Sequence, residues 1–157
     1  MIRTATIDDL PVIMAIENAS FGSDAWSEDM MRAELESEHG RYIVLDDGQI
    51  GGYAGLRHLA GGRDSDVQTI AVSERARGTG QGRALLNELI TTAMSRRARE
   101  LFLDVRADNP VAEALYASEG FVEIGRRPRY YQPDDVDAVV MKLDLRSRTT
   151  PESEERR

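Results

Sequence analysis

The sequence predicts a single domain of mixed α/β class, and two observations carry that expectation. Strand-like and helix-like segments alternate along residues 1–145 with short connections between them. The most distinctive local pattern, ARGTGQGRALL (76–86), sets Gly78, Gly80 and Gly82 in the turn between a strand and a long apolar helix. The size agrees: 157 residues, 41% hydrophobic and 31% charged, are the measures of one globular domain.

IRTAT (2–6) reads as the first strand. Asp8 and Asp9 then supply capping carboxylates for a helix over about 8–20, whose apolar face is Leu10, Ile13, Met14 and Ile16. Pro11 falls in its first turn, where a missing N–H costs nothing. Ser27, followed by Glu28 and Asp29, opens a second helix with Met30, Met31 and Leu35 as its stripe. RYIVLDDGQIGGYAGLR is a hairpin signal, because Asp47-Gly48 separates two β-rich runs. DSDVQTIAV (64–72) is a further strand, and the helix after the glycine turn runs from about 82 to 97. LFLDV (101–105) has the character of a buried strand. Asn109 as N-cap, Pro110 at the first helical position and Gly120 at the C-terminal end bracket a short helix over 110–119. FVEIGR (121–126) and DAVVMKLDL (137–145) close the sheet. The charged remainder, 146–157, lacks large apolar residues beyond that point and is expected to be disordered.

Composition excludes several classes of chemistry. The chain has no cysteine, which removes disulfides, thiolate metal sites and an acyl-enzyme through sulfur. A formal charge of −8 argues against broad binding to nucleic acid or anionic membrane. Apolar runs are far shorter than a membrane span, and MIRTATIDDL lacks the apolar core of a signal peptide, so a soluble cytoplasmic protein is expected. His39 and His58 stand alone without carboxylate or cysteine spacing around them, so no metal site is expected.

The glycine turn is therefore read as an anion cradle at a helix N-terminus. A P-loop would need a lysine after the glycines, and the chain's lysine is the distant Lys142. A dinucleotide fingerprint beginning at Gly78 would need glycine at 83, where Arg83 stands. A ligand-free strand-to-helix turn is the plain alternative. What fits is Arg-x-x-Gly-x-Gly, Arg77 to Gly82, which resembles the coenzyme A signature of the GNAT acyltransferases. DVRADNPVAEALYASEGF (104–121) looks like that superfamily's second signature, and the likeness extends over residues 2–143. Within the superfamily, LFLDVRADN…ALY…GF…RRPRYY is most similar to the bacterial ribosomal-protein-alanine N-acetyltransferases.

The resemblance implies a mixed, mostly antiparallel sheet that splays between DVQTIAV and LFLDV, with acetyl-CoA as cosubstrate in the opening and no metal. It implies that backbone N–H groups of Gly78, Thr79, Gly80, Gln81, Gly82 and Arg83, beside Arg77, hold the pyrophosphate. Ile70, Ala71 and Val72 would offer main-chain groups to pantetheine, with the Val72 N–H near the thioester carbonyl, and Asn109 would contact the same arm while capping its helix. Asp104 stands where the family has a glutamate base, one methylene shorter, and Tyr116 matches the general acid. Both have plainer readings: Asp104 as a solvated or Arg106-paired carboxylate, Tyr116 as a core residue beside Ala112 and Leu115. Trp26, Tyr130 and Tyr131 fall where related enzymes build the acceptor groove, though packing would also explain them. The implied reaction is direct acetyl transfer to a protein N-terminal amine, that of a small-subunit ribosomal protein starting with alanine. A lysine or small-amine acceptor, or a non-catalytic acyl-CoA-binding module, would carry the same glycine turn.

Overall fold

A computed structural model describes residues 1–59 and 61–148. Seven strands and four α-helices follow the chain as β1 (Ile2–Thr4), α1 (Leu10–Phe21), α2 (Glu28–Glu36), β2 (Gly40–Asp46), β3 (Ile50–Arg57), β4 (Asp64–Val72), α3 (Gln81–Ser95), β5 (Glu100–Arg106), α4 (Pro110–Ser118), β6 (Val122–Tyr131) and β7 (Val136–Asp144). They build one sheet in the order β1-β2-β3-β4-β5-β7-β6. Neighbouring strands run antiparallel except β4 and β5, whose parallel pairing requires the crossover that α3 supplies.

The caps sit where the sequence puts them. The Ser27 hydroxyl accepts the Met30 N–H at 3.1 Å, and the Asn109 side-chain oxygen accepts the Ala112 N–H at 3.2 Å. Gly120 closes α4 at φ 104°, a left-handed conformation that favours glycine. The Asp9 carboxylate accepts the Thr6 N–H at 2.8 Å and pairs with Arg3, so it caps a one-turn 3-10 segment, Ile7–Asp9, that precedes α1. β6 runs past the expected end at residue 126 to Tyr131. Pro128 is tolerated there because β6 lies at the sheet edge, and the register shifts between Arg127 and Tyr131 around Arg129 at φ 53°.

Period-two alternation divides the core between the faces of the sheet. Ile43, Ala54 and Leu56 face α3 and α4 in a cluster with Leu85, Leu89, Leu101, Tyr116 and Phe121. Their neighbours Tyr42, Val44, Tyr53 and Ala71 point the other way, onto Leu10, Ile13 and Ile16 of α1 and Met31 of α2. β4 and β5 pair only through Asp64–Asp66 with Glu100–Phe102. The next residues of β4 carry a bulge against β3, where Leu56 pairs with Val67 but Gly55 with Thr69. A bulge bends and twists its strand, and here β4 and β5 diverge from that point.

Leu145 is buried, its N–H bonding the Arg99 carbonyl at 2.8 Å, and Arg148 holds the Glu119 carbonyl at 2.9 Å. The remainder of the expected tail, 149–157, lies outside the described residues. Among the described residues no helix is long and apolar enough to cross a membrane.

A Cβ added at Gly55 would stand 2.2 Å from the ring of Tyr42, which is 4% exposed and has no room to withdraw. Gly55→Ala is expected to destabilise the fold by about 1–3 kcal/mol through overpacking, a fall in Tm on the order of 2–10 °C for a chain of this size. Thermal unfolding followed by circular dichroism checks this; an unchanged Tm would contradict it.

Candidate active site

Beyond the paired residues, β4 continues to Val72 and β5 to Arg106 with a cleft of about 680 Å³ between them. The β4 edge that faces this cleft has no strand partner after Asp66, so its main-chain groups are available to a ligand lying alongside as an added strand would. Ile70 lines the cleft; Ala71 is turned into the core under α1, and Val72 ends the strand. From β5 come Asp104 and Arg106, from α4 Ala112 and Tyr116, and from the turn after α1 Asp24 and Trp26.

The glycine turn lies at the end of β4. Gly78 (φ 77°) and Gly80 (φ 82°) are left-handed, and a Cβ on either would meet nothing within 4 Å, so the turn is open on its outer side. Among the described residues, no backbone N–H from Gly78 to Arg83 is used in a hydrogen bond; the first that is used, Ala84's, bonds the Gly80 carbonyl at 3.1 Å. A run of six exposed or half-exposed donors at the start of a 15-residue helix has the shape and polarity of a pyrophosphate cradle. Its side chains are engaged elsewhere. Arg77 bonds back to the Val72 carbonyl at 3.3 Å, and the Thr79 hydroxyl donates to the Ala76 carbonyl. Gln81 lies against Gly51 at the start of β3, and Gly82 packs near Val72 and Leu115. Arg83 pairs at 2.6 Å with Glu119, the residue after α4, which also takes Arg148.

Asp104 is one-third exposed and stands 3.6 Å from the Arg127 guanidinium, an ion pair too long to be a hydrogen bond. The alternative pairing with Arg106 is not what forms: Arg106 turns to Asp24, Asp108 and Asp134 instead. Tyr116 is both packed in the core and turned to the cleft. It is 7% exposed and packs edge-on to Phe121 at 5.9 Å, yet it also lines the cleft. Burial, and then the nearby Tyr131, raise the pKa of its hydroxyl, which stays protonated at neutral pH. Tyr131 is itself pushed up to about 12, first by burial and then by Asp104. Asn109 lines the cleft with its oxygen occupied as the α4 cap. Among the described residues no group of three or more His, Asp or Glu could hold a metal ion.

The acetyltransferase (GNAT) family profile matches residues 10–121. The chain belongs to this family. It is 40% identical over 128 residues to the N-alpha-acetyltransferase RimI of Mycobacterium tuberculosis, an overlap of 78% of either chain. It is 32% identical to the [ribosomal protein bS18]-alanine N-acetyltransferase of Escherichia coli over 87% of this chain and 92% of that one. The crystal structure of the ribosomal-protein-S18-alanine N-acetyltransferase from Escherichia coli superimposes with a TM-score of 0.84 at 30% identity, covering 96% of this chain and 97% of that one. The GNAT fold expected from the sequence, a mixed sheet parted between β4 and β5, is the fold observed.

Three features of this GNAT cleft escaped the sequence reading. Asp66 is the last residue of β4 paired with β5 and lies at the fork, on the same face as Asp104. Asp24 and Asp134 reach the cleft from loops. Glu17 is 1% exposed and accepts the Trp26 N–H at 2.9 Å, the Thr69 hydroxyl at 3.3 Å and the Tyr53 hydroxyl. A signal for Glu17 was present: it falls at the i+7 position of the Leu10–Ile13 stripe, a carboxylate on an apolar face. For Asp66 no local signal existed, because its significance comes from a strand paired 36 residues later.

Burial, then Asp64 and Asp104, raise the Asp66 carboxyl above its ordinary value of 3.8. A raised folded-state pKa means that the ionised form costs stability, a cost absent below pH 3.8 and complete above the folded value. Asp66→Asn is therefore expected to raise Tm at pH 7 and to lose that advantage as the solution is acidified toward pH 3.8. Melting curves of both proteins between pH 3 and 7 test this; a variant less stable at pH 7 would refute it.

Proposed function

We propose that this chain is an acetyl-CoA-dependent N-acetyltransferase of the cytoplasm that modifies a protein N-terminal α-amine, the acceptor being the terminal alanine of a small-subunit ribosomal protein. The observation that carries this reading is the placement of Asp104, from β5, and Tyr116, from α4, in one cleft at the fork of the sheet. The name borne by the relative of 40% identity supports an α-amine acceptor, and that of the relative of 32% identity supports the alanine of a ribosomal protein.

Acetyl-CoA, when bound, supplies an acetyl thioester. The donors of residues 78–83 would hold its pyrophosphate, the open edge of β4 would hold its pantetheine arm, and Asn109 would lie beside that arm. The Val72 N–H would support the thioester oxygen as charge develops on it. An α-ammonium has a pKa of about 8, so a modest base is enough to make it neutral at physiological pH. Asp104 takes that proton, directly or through a water that spans its missing methylene. Tyr116 keeps its own proton through burial and delivers it to the departing coenzyme A sulfur. The chain has no cysteine, and the transfer is direct.

Turnover of acetyl-CoA against peptides starting with alanine, internal lysine peptides and small polyamines tests the proposal. Rapid transfer to an alanine-starting ribosomal peptide is expected, and turnover with small amines alone would overturn it. Tyr116→Phe should lower kcat by about 10²-fold or more with acetyl-CoA affinity unchanged; wild-type kcat would remove Tyr116 as the acid. Asp104→Ala should lose most at low pH, where the amine is protonated, and a pH-independent loss would remove Asp104 as the base.

A further inference from the structure

Arg106 stands two residues beyond Asp104 on β5, and its guanidinium is shared among three segments. Asp108, in the loop before α4, takes two of its N–H groups at 2.9 and 3.0 Å. Asp134, in the turn between β6 and β7, takes another at 3.2 Å, and Asp24, in the turn after α1, is bonded through Nη1. The same guanidinium lies over the Tyr131 ring, 5.3 Å from its centroid. With the side chain 22% exposed, these contacts are partly shielded from solvent.

The partners of Arg106 belong to separate segments of the chain that each form a wall of the cleft. The turn after α1 contributes Asp24 and Trp26, and the end of β6 with the turn that follows contributes Tyr130, Tyr131 and Asp134, Asp134 lying 110 positions along the chain from Asp24. A planar fork with five donors can meet carboxylates in several fixed directions, which a lysine cannot do. Asp108 fixes the plane of the guanidinium by a bidentate contact, and the remaining donors then fix where Asp24 and Asp134 stand.

We propose that Arg106 is a positioning residue that sets the spacing of these two walls, so that acceptor binding depends on it while acetyl-CoA binding does not. The proposal rests on the reading of this cleft as an acetyl-transfer site with a protein N-terminus as acceptor. Arg106 touches neither reacting group; it acts through Asp24, Asp134 and Tyr131.

Arg106→Met keeps an unbranched side chain on β5 but removes the fork and its cation–π contact with Tyr131. The KM for an alanine-starting peptide is expected to rise about tenfold or more, as loss of uniform binding requires, with a much smaller change in kcat and in the KM for acetyl-CoA. Arg106→Lys should recover only part of the loss. Asp24→Asn and Asp134→Asn should each raise the peptide KM, and neither should add its full effect to that of Arg106→Met. An equal rise in both KM values, or a lowered Tm with both KM values unchanged, would overturn the proposal and leave Arg106 a structural ion pair. Trp26 is the chain's single tryptophan and lies in one wall, which gives a readout independent of turnover. Acrylamide quenching of its fluorescence should increase in Arg106→Met, with the far-ultraviolet circular dichroism unchanged. Increased quenching in a protein that acetylates none of the peptides would sink the acceptor reading and leave the wall-spacing role standing. Turnover with unchanged quenching and unchanged peptide KM would do the reverse.

Discussion

The structure depends on a parallel pairing that stops early. β4 and β5 share three residue pairs and then part, immediately before the β4 bulge. Had the pairing continued to Val72 and Arg106, the sheet would be continuous and its middle filled by side chains. Instead the polar edge of one strand is left uncovered inside the domain, an arrangement that is costly unless something polar occupies it. Asp66, Asp104, Asn109 and Tyr116 all border that interruption.

Ionised groups crowd the opening. Asp24, Asp66, Asp104 and Asp134 line it along with Arg106 and Arg127. Arg106 is already shared among carboxylates, and Arg127 approaches Asp104 without closing on it. Burial first, and then the neighbouring carboxylates, raise the Asp66 and Tyr131 pKa values; the excess of carboxylates over guanidinium groups favours a cationic group entering between the strands.

What could be read from the sequence was local. Ser27, Asn109–Pro110 and Gly120 marked helix ends because capping needs particular atoms within three residues of the terminus. The glycine turn announced itself in the same way, through backbone conformations at 78 and 80 that few other residues adopt. Family resemblance added the parting of β4 from β5, which no periodicity in either strand would reveal. Side-chain partnerships were the illegible part. Asp104 and Arg106, two apart on one strand face, looked like a pair, but Asp24 lies 82 residues before Arg106 and Asp134 lies 28 after it. Arg83 likewise stood beside the anion site in sequence and is held by Glu119, 36 residues away. Such choices are made by register and loop placement, after the fold has formed.

One consequence follows from the division of the core into two clusters on opposite faces of the sheet. Asp24 and Trp26 reach the gap from the layer of α1 and α2, while Asn109 and Tyr116 reach it from the layer of α4. The opening is thus bordered by side chains from both layers that flank the sheet. A change in the packing of either layer would therefore be felt at the gap from its own side.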